Sequence, residues 1–208
     1  MHILIFILSA VSGCLIGQFN PSILLSQLVY KKDIRKLGSG NPGFTNFYRL
    51  FGVRWAWLVF ILDAFKTALV ELVFSHFFNK YFGNPSLGIA FTGLFVMLGH
   101  CFPLSYQFQG GKGALSALTT IFLIDWRCGL IGIAIIGIIL LTLHYMSLAS
   151  ICSICIGTIL LLVFGNCSIQ AWICCLLFSA LMIWRHSGNI KRLIKGNESK
   201  FSFFRSHK

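Results

Sequence analysis

The chain has 208 residues, 57% of them apolar and only 11% charged, with a mean hydropathy of +0.83; no polar surface drawn from this composition would cover its Phe, Leu and Ile, which excludes an ordinary soluble domain. Its net charge is +12, from 17 Lys and Arg against five acids, but the basic residues sit between apolar runs rather than on one soluble face, which argues against a nucleic-acid binder. An all-α integral membrane protein is expected, a single domain over residues 1–208, with most of the positive charge serving cytoplasmic loops and anionic headgroups and part left for an anionic substrate.

The first apolar run, residues 3–29, exceeds the roughly 20 residues that cross a bilayer. Its opening, MHILIFILSA, lacks a positive n-region, so this stretch is expected to remain as the first helix. Gln18, Asn20 and Pro21 interrupt its second half and predict a kink. The block KKDIRK, residues 31–36, and a polar, glycine-bearing loop over 38–52 follow. A second span is expected over 55–78, and it holds Asp63, Lys66 and Glu71. Asp63 and Lys66 stand three apart on one helical face, so an ion pair inside the bundle is the simplest reading. Residues 79–86 read as a short outer loop and 87–102 as the third span.

The run 114–124 is only eleven residues long, about 17 Å as a helix, and reads as a short or tilted fourth span ending at Asp125-Trp126-Arg127. A fifth span is expected over 129–143, a tight turn at 144–147, a sixth span over 148–164, a turn at 165–168 and a seventh span over 169–184. The tail, 185–208, is basic and amphipathic. Seven spans put the N-terminus outside and the C-terminus in the cytoplasm, and 14 of the 17 Lys and Arg then lie on the inner side. This arrangement also brings three polar segments to one face: 38–52, 99–113 and 185–198.

The second of these, GHCFPLSYQFQGGKG, ends in glycines around Lys112 just before an apolar run. Without side-chain bulk the backbone can lie against a ligand, and an entering helix adds the positive end of its dipole, so the stretch reads as a phosphate cradle. In the first segment Ser39, Thr45 and the amides beside Gly40 and Gly43 can hydrogen-bond phosphoryl oxygens, and Arg49 adds a bidentate fork; alone, Arg49 would also fit an ordinary cytoplasmic arginine. In the third, His186 and Asn189 stand three apart, flanked by Arg185, Lys191 and Arg192. His186 lies where the last span meets water, so titration near neutral pH and proton uptake from a hydroxyl are open to it, as is a plain headgroup contact. His100 reads as a structural hydrogen-bonding residue.

Other signatures fail on context. GSGNPG over 38–43 matches GxGxxG, with Asp63 twenty residues beyond Gly43, but a basic block rather than a strand precedes it and Asp63 lies within a span. GGKG is not a Walker loop, because Gly113 stands where a Ser or Thr would bind magnesium. No DxxDG cluster exists for a metal-dependent phosphotransferase, and no His is followed by Asp five positions on. Cys152 with Cys155, and Cys174 beside Cys175, lie inside apolar runs without a nearby His or acid, so packing is the reading and no metal or other cofactor is assigned. Cations, hydroxyls, backbone amides and one histidine remain to do the chemistry.

Taken together the three segments resemble one family. GSGNPGFTNFYR is similar to the GSGNxGATNxxR motif of the bacterial acyl-phosphate:glycerol-3-phosphate acyltransferases (the PlsY type), GHCFPLSYQFQGGKG to their GHxxPxFxxFKGGKG, and RHSGNIKRLIKGNE to their HxxNIxRLxxGxE. LDAFK at 62–66 and SLAS at 147–150 are similar to further family segments, and the likeness runs in order over nearly the whole chain.

The resemblance implies a seven-helix enzyme of the bacterial cytoplasmic (inner) membrane, with its site at the cytoplasmic face. It would move a fatty acyl group from acyl phosphate, not from acyl-CoA or acyl carrier protein, to the 1-hydroxyl of glycerol 3-phosphate. The products would be lysophosphatidic acid and phosphate, the first step of phospholipid synthesis, downstream of an enzyme that forms acyl phosphate. Carried over by matched positions, Ser39, Asn41, Gly43, Thr45, Gly111 and Ser150 would hold the acyl-phosphate headgroup. Arg49, Lys112, His186 and Asn189 would position glycerol 3-phosphate and form the catalytic set, with Lys112 between the two phosphates. Direct attack by the glycerol hydroxyl needs neither metal nor covalent nucleophile, and its proton would pass to His186 or to the departing phosphate. An apolar groove between spans would hold the acyl chain. Phe44, Gln109 and Thr67 depart from the family's usual Ala, Lys and Gly, and the first two would lower substrate affinity.

Two other classes compete with this reading. An organic-phosphate transporter would need polar residues deep in several helices and an inverted repeat, neither of which is evident. A non-catalytic scaffold for anionic lipid would need the basic tail but not three glycine-rich motifs.

Overall fold

The computed structural model describes residues 1–165 and 167–202. Asn166, within the turn expected at 165–168, and residues 203–208, the end of the basic tail, lie outside the described residues. Among the described residues the chain forms ten α-helices and two single 3-10 turns, with no strand.

The first apolar run is broken where the sequence predicts. α1 (His2–Gln18) stops at Phe19, and α2 (Pro21–Tyr30) starts behind Asn20, whose side chain accepts from the Ile23 amide at 3.0 Å while Pro21 fills a first-turn position that needs no N–H. The polar loop then yields a short helix that its glycines conceal, α3 (Phe44–Phe51), which ends at Gly52. α4 (Val53–Phe82) runs thirty residues and absorbs the first half of the expected outer loop, while the next helix takes its last two residues, leaving Gly83, in the left-handed region, and Asn84 to make the turn. α5 (Pro85–Cys101), α6 (Ala114–Ile124) and α7 (Trp126–Thr142) follow; α7 begins earlier than expected because the Asp125 carboxylate caps it. α8 (Met146–Phe164), α9 (Ile169–Arg185) and the amphipathic α10 (Ser187–Ile194) complete the chain, the last two meeting at a bend of 57°.

Among the described residues three segments are long and apolar enough to cross a membrane by length and composition, 2–30, 85–106 and 146–164, and the bent pair α9–α10 makes a fourth if it counts as one span. Leu4, Leu8, Leu15, Leu162 and Val163 are all about half exposed, as helices surrounded by lipid require. α6 and α7 are apolar but short, and α4 carries Asp63, Lys66 and Glu71 in its middle.

α5 is the centre of the bundle, packed against α1, α4, α6 and α9, while α7 and α8 form a neighbouring pair. In lipid the helices associate by close packing and small polar contacts rather than by burial from water. A β-carbon on Gly17 would stand 2.2 Å from the Val96 carbonyl oxygen, and one on Gly99 equally close to that of Cys14, so α1 and α5 touch backbone to backbone. Ser9 and Thr92 hydroxyls join the same two helices at 2.8 Å. Thr67 lies 3.2 Å from the Ser116 hydroxyl on α6, a contact that a glycine there would lack. All eight cysteines are free thiols, and Cys101, Cys128, Cys174 and Cys175 are packed in the main apolar core with Met97, Ile121 and Phe178.

A second apolar cluster ties α2, α3 and α4 to the tail. Phe201 is buried against Tyr48, 5.3 Å between ring centres, and its amide donates to the His144 carbonyl at 2.6 Å. The chain after α10 therefore returns across the same end of the bundle that carries the three polar segments.

Gly17→Leu or Gly99→Leu should force α1 from α5 and cost about 1–3 kcal/mol, read as a lower unfolding temperature in detergent. Leu15→Ile, on the exposed side of α1, should leave that temperature unchanged.

Candidate active site

The loop before α3 is shaped by one buried side chain. Asn46 accepts from the Ser39 amide at 3.0 Å and donates to the Leu37 carbonyl at 3.1 Å, while Asn20 reaches from α2 to the Pro42 carbonyl at 3.2 Å. Asp33 and Arg35 pair at 2.7 Å, which holds the Asp33 carboxyl below its ordinary range, and Arg35 also donates to the Tyr106 carbonyl at 2.9 Å. Loop 38–43 is thereby tied to the 103–109 turn. It delivers Ser39, Asn41, Gly43 and Thr45 to the mouth of α3.

The glycine-lysine turn is held from both sides. Arg185 donates to the carbonyls of Gly111 at 3.1 Å and Gly110 at 2.9 Å, and the Gly111 amide donates to the His100 carbonyl at 3.1 Å. Gly113 takes the left-handed region, φ 75°, and starts α6. Lys112 alone projects into the site, where its ammonium donates to the Asn189 side-chain oxygen. Burial lowers the Lys112 pKa to about 8; the nearby Glu198 carboxylate opposes that, while Arg192, Arg185 and Arg49 add to it.

His186 closes the site from the α9–α10 bend. Its Nδ1 lies 2.9 Å from the Met182 carbonyl, which can only accept, so Nδ1 carries the proton and Nε2 keeps its lone pair. The ring is nearly fully buried, and burial drops its pKa to about 4, against the near-neutral titration open to it from sequence. Glu198 organises this wall. Its carboxylate accepts from Asn189 at 2.6 Å, Ser147 at 2.7 Å and Arg192 at 2.7 Å; burial opposes its ionisation, but these donors keep its pKa below the ordinary value.

Ser39, Asn41, Gly43, Thr45 and Arg49 from the first segment line one cavity of about 480 Å³. Lys112, Ser150, His186 and Asn189 line it too. Gly111 does not: its amide and carbonyl are both committed within the protein, and His100 stands where its side chain would be. Arg49 donates to the Ser199 carbonyl at 3.0 Å, so the tail reaches this wall. Phe44 packs with Trp57 and Phe60, 5.8 Å between ring centres in each pair, and these three aromatics form part of the cavity wall. Gln109 is exposed and outside the lining. Towards the bundle interior the wall becomes apolar, through Leu115, Leu118, Ile133, Ile136 and Gly137.

Four helices begin at this cavity, α3, α6, α8 and α10, and none has a side-chain cap at its N-terminus. α2, α5, α7 and α9 begin elsewhere and are capped by Asn20, Asn84, Asp125 and Ser168. α1 and α4 are uncapped as well, at Met1 and Gly52. First-turn amides at the cavity are thus left to a ligand, and with Lys112 and Arg49 they suit an anion, or two, bearing several acceptor oxygens.

Asn46, Ser147 and Glu198 were not singled out by sequence reasoning. Asn46 and Glu198 each sit inside a quoted motif, GSGNPGFTNFYR and RHSGNIKRLIKGNE, and Ser147 opens SLAS. A side chain that braces backbone or other side chains leaves no local signature of its own.

The sequence profile described as glycerol-3-phosphate acyltransferase matches residues 7–196. Proteins named glycerol-3-phosphate acyltransferase are similar over most of their length: that of Thermoanaerobacter pseudethanolicus is 37% identical, covering 93% of this chain and 94% of its own, and that of Coxiella burnetii is 32% identical, covering 94% and 97%. The fold is similar to the crystal structure of PlsY (YgiH), an integral membrane glycerol 3-phosphate acyltransferase, in its glycerol 3-phosphate form, with a TM-score of 0.86 and 33% identity over 95% of this chain and 96% of that one. The lysophosphatidic acid form of the same protein gives a TM-score of 0.82 at 32% identity.

In protein carrying isotope-labelled lysine, the Lys112 signal, assigned by its loss in Lys112→Arg, should titrate near pH 8. Titration alongside the exposed lysines, close to the ordinary value of about 10.4, would contradict the buried setting described for it.

Proposed function

The chain belongs to the glycerol-3-phosphate acyltransferase family, and on that premise we propose that it moves a fatty acyl group from acyl phosphate to the 1-hydroxyl of glycerol 3-phosphate. It is a multi-pass membrane acyltransferase that acylates glycerol 3-phosphate to lysophosphatidic acid. The acyl-phosphate donor, and the place of the reaction after an enzyme that makes acyl phosphate, belong to this proposal. The transporter alternative finds no support in relatives that carry acyltransferase names.

The observation that supports the donor best is the pairing of two features in one cavity. An apolar wall through Leu118, Ile133 and Ile136 adjoins a polar end with several uncapped helix starts, Lys112 and Arg49. A long chain ending directly in a phosphate fits such a shape. A bulky carrier would need a wider polar surface.

In this reading Ser39, Asn41, Gly43, Thr45 and Ser150 hold the acyl-phosphate headgroup, and Arg49, His186 and Asn189 hold glycerol 3-phosphate. Lys112 stands between the two phosphates. Gly111 serves instead as the backbone of the turn, because its polar groups are already paired. The glycerol oxygen attacks the acyl carbon, a C–O ester bond forms, and the C–O bond to phosphate breaks with its electron pair leaving on phosphate. The proton goes to the departing phosphate. A phosphoryl group with a second pKa of about 6 is a stronger base than His186, which burial has brought to about 4. His186 then orients the acceptor hydroxyl through the lone pair on Nε2.

Seven spans are proposed: the α1–α2 pair, and α4 to α9 one each. The N-terminus lies outside and the site at the cytoplasmic face of the bacterial inner membrane, in one domain over residues 1–208. The basic residues of 31–54 and 185–200 support this orientation.

The purified protein, given palmitoyl phosphate and glycerol 3-phosphate, should release phosphate only with both present and form lysophosphatidic acid in step, with palmitoyl-CoA inert. Turnover from palmitoyl-CoA at a similar rate would overturn the donor assignment. With Lys112 charged only below about pH 8, kcat/KM should fall as pH rises through that value, and Lys112→Ala should lose about 10²-fold or more. Gly137→Leu, at a cavity-lining position with no atom within 4 Å of its would-be β-carbon, should raise KM for palmitoyl phosphate more than for a ten-carbon donor.

A further inference from the structure

One group at the cavity wall has no part in the roles given so far. His100 lies in the last turn of α5, is buried, and lines the cavity with Lys112 and Gly113. Its state is set from behind by Lys66. That ammonium has three protons and three directed acceptors: the Gly17 carbonyl at 3.2 Å, the Phe19 carbonyl at 2.5 Å and His100 Nδ1 at 3.1 Å. Asp63 Oδ1 lies 2.8 Å from Lys66 and balances its charge, though off the direction of a hydrogen bond.

An ammonium offers no lone pair, so Nδ1 must be the acceptor in this contact. Donation from Nδ1 to Asp63 is ruled out by distance, 3.7 Å. The ring is then neutral, with its proton on Nε2. That nitrogen stands against the glycine-lysine turn, where a β-carbon on Gly111 would come within 2.1 Å of it. Neither polar group of Gly111 is free to serve it, one bonding the His100 carbonyl and the other Arg185. Nε2 meets no hydrogen-bond partner among the described residues, and it is not one of the fully enclosed unpartnered atoms, so on a ring that lines the cavity its N–H is left open to a ligand.

We propose that the His100 Nε2–H donates a hydrogen bond to an oxygen of the acyl phosphate, making His100 a further binding residue, with Lys66 and Asp63 as positioning residues that fix its proton on Nε2. This rests on the acyl-phosphate reading above. The acyl donor is the partner because His100 and Asp63 belong to spanning helices and line the cavity together with the apolar residues Leu115 and Leu118. The lysine, rather than a second ring proton, decides the tautomer. That gives a polar contact within the membrane a use beyond closing the gap between α1 and α2.

The test compares His100→Leu with His100→Gln, since a glutamine amide can present an N–H where Nε2 stands. His100→Leu should lose about tenfold to a hundredfold in kcat/KM for palmitoyl phosphate, with KM for glycerol 3-phosphate unchanged, and His100→Gln should recover most of it. The loss falls on KM if a phosphoryl oxygen is the acceptor, and on kcat if the acceptor is the carbonyl oxygen on which charge develops. In protein with isotope-labelled histidine, the signal removed by His100→Gln should show the Nε2–H tautomer. Its proton should move downfield with a non-hydrolysable acyl phosphonate and stay put with glycerol 3-phosphate alone. Wild-type kinetics in His100→Leu, an Nδ1–H tautomer or an unmoved proton would overturn the proposal while leaving the donor intact. Failure of the wild-type protein to use palmitoyl phosphate would overturn both.

Discussion

Two phosphate groups, those of glycerol 3-phosphate and of the proposed acyl-phosphate donor, would repel one another in a single cavity, and that repulsion is the constraint the proposed site has to meet. Two unit charges 4 Å apart cost about 4 kcal/mol at an effective dielectric of 20, and more where water is excluded. A helix N-terminus contributes about 0.3–1 kcal/mol to an anion, so the four uncapped starts of α3, α6, α8 and α10 together offset about 1–4 kcal/mol, which falls short once each phosphate carries more than one unit of charge. The remainder falls to full charges, and Lys112 and Arg49 stand on the same cavity. Capping supports the same view. Where a helix starts away from the site on α2, α5, α7 and α9, a side chain closes it. At the cavity that closure is withheld.

Holding bare backbone in place requires bracing from residues that touch no ligand in this reading. Asn46 shapes the first loop, Arg185 pins the glycine-lysine turn, and Glu198 gathers Ser147, Asn189 and Arg192. Each spends its polar groups on other parts of the protein, which holds the loops in place while the helix starts at the cavity carry no side-chain cap. Lys66 works similarly one layer deeper. It satisfies the carbonyls left over where α1 ends and meets His100 behind the turn, with Asp63 to balance its charge. The backbone contact of α1 with α5 at Gly17 and Gly99 lets that lysine reach both helices.

Much of this was legible in the sequence. The break at Gln18 to Pro21, the apolar runs 114–124 and 169–184, the second one residue short of the helix that forms, and the three polar segments all follow from periodicity, proline and charge. Three features resisted. Glycines around Phe44 to Phe51 hid α3, because its N-cap is Gly43 with no side-chain cap and so it lacks the usual Ser, Asp or Asn signal. The environment of His186 was misjudged: a residue at the end of a span looks solvent-facing in one dimension, yet the α9–α10 bend folds it inward. Gly111 looked like a free phosphate donor, but the Arg185 and His100 contacts that occupy it come from residues distant in sequence or from the far end of the turn.

The most direct test of the account is an amide spectrum of the labelled protein as glycerol 3-phosphate and a non-hydrolysable acyl phosphonate are added. The first-turn amides of Phe44, Thr45, Ala114, Leu115, Ser147 and Ser187 should move downfield when both ligands are bound. Shifts confined to side chains, with these amides unmoved, would contradict the claim that open helix starts hold the two phosphates.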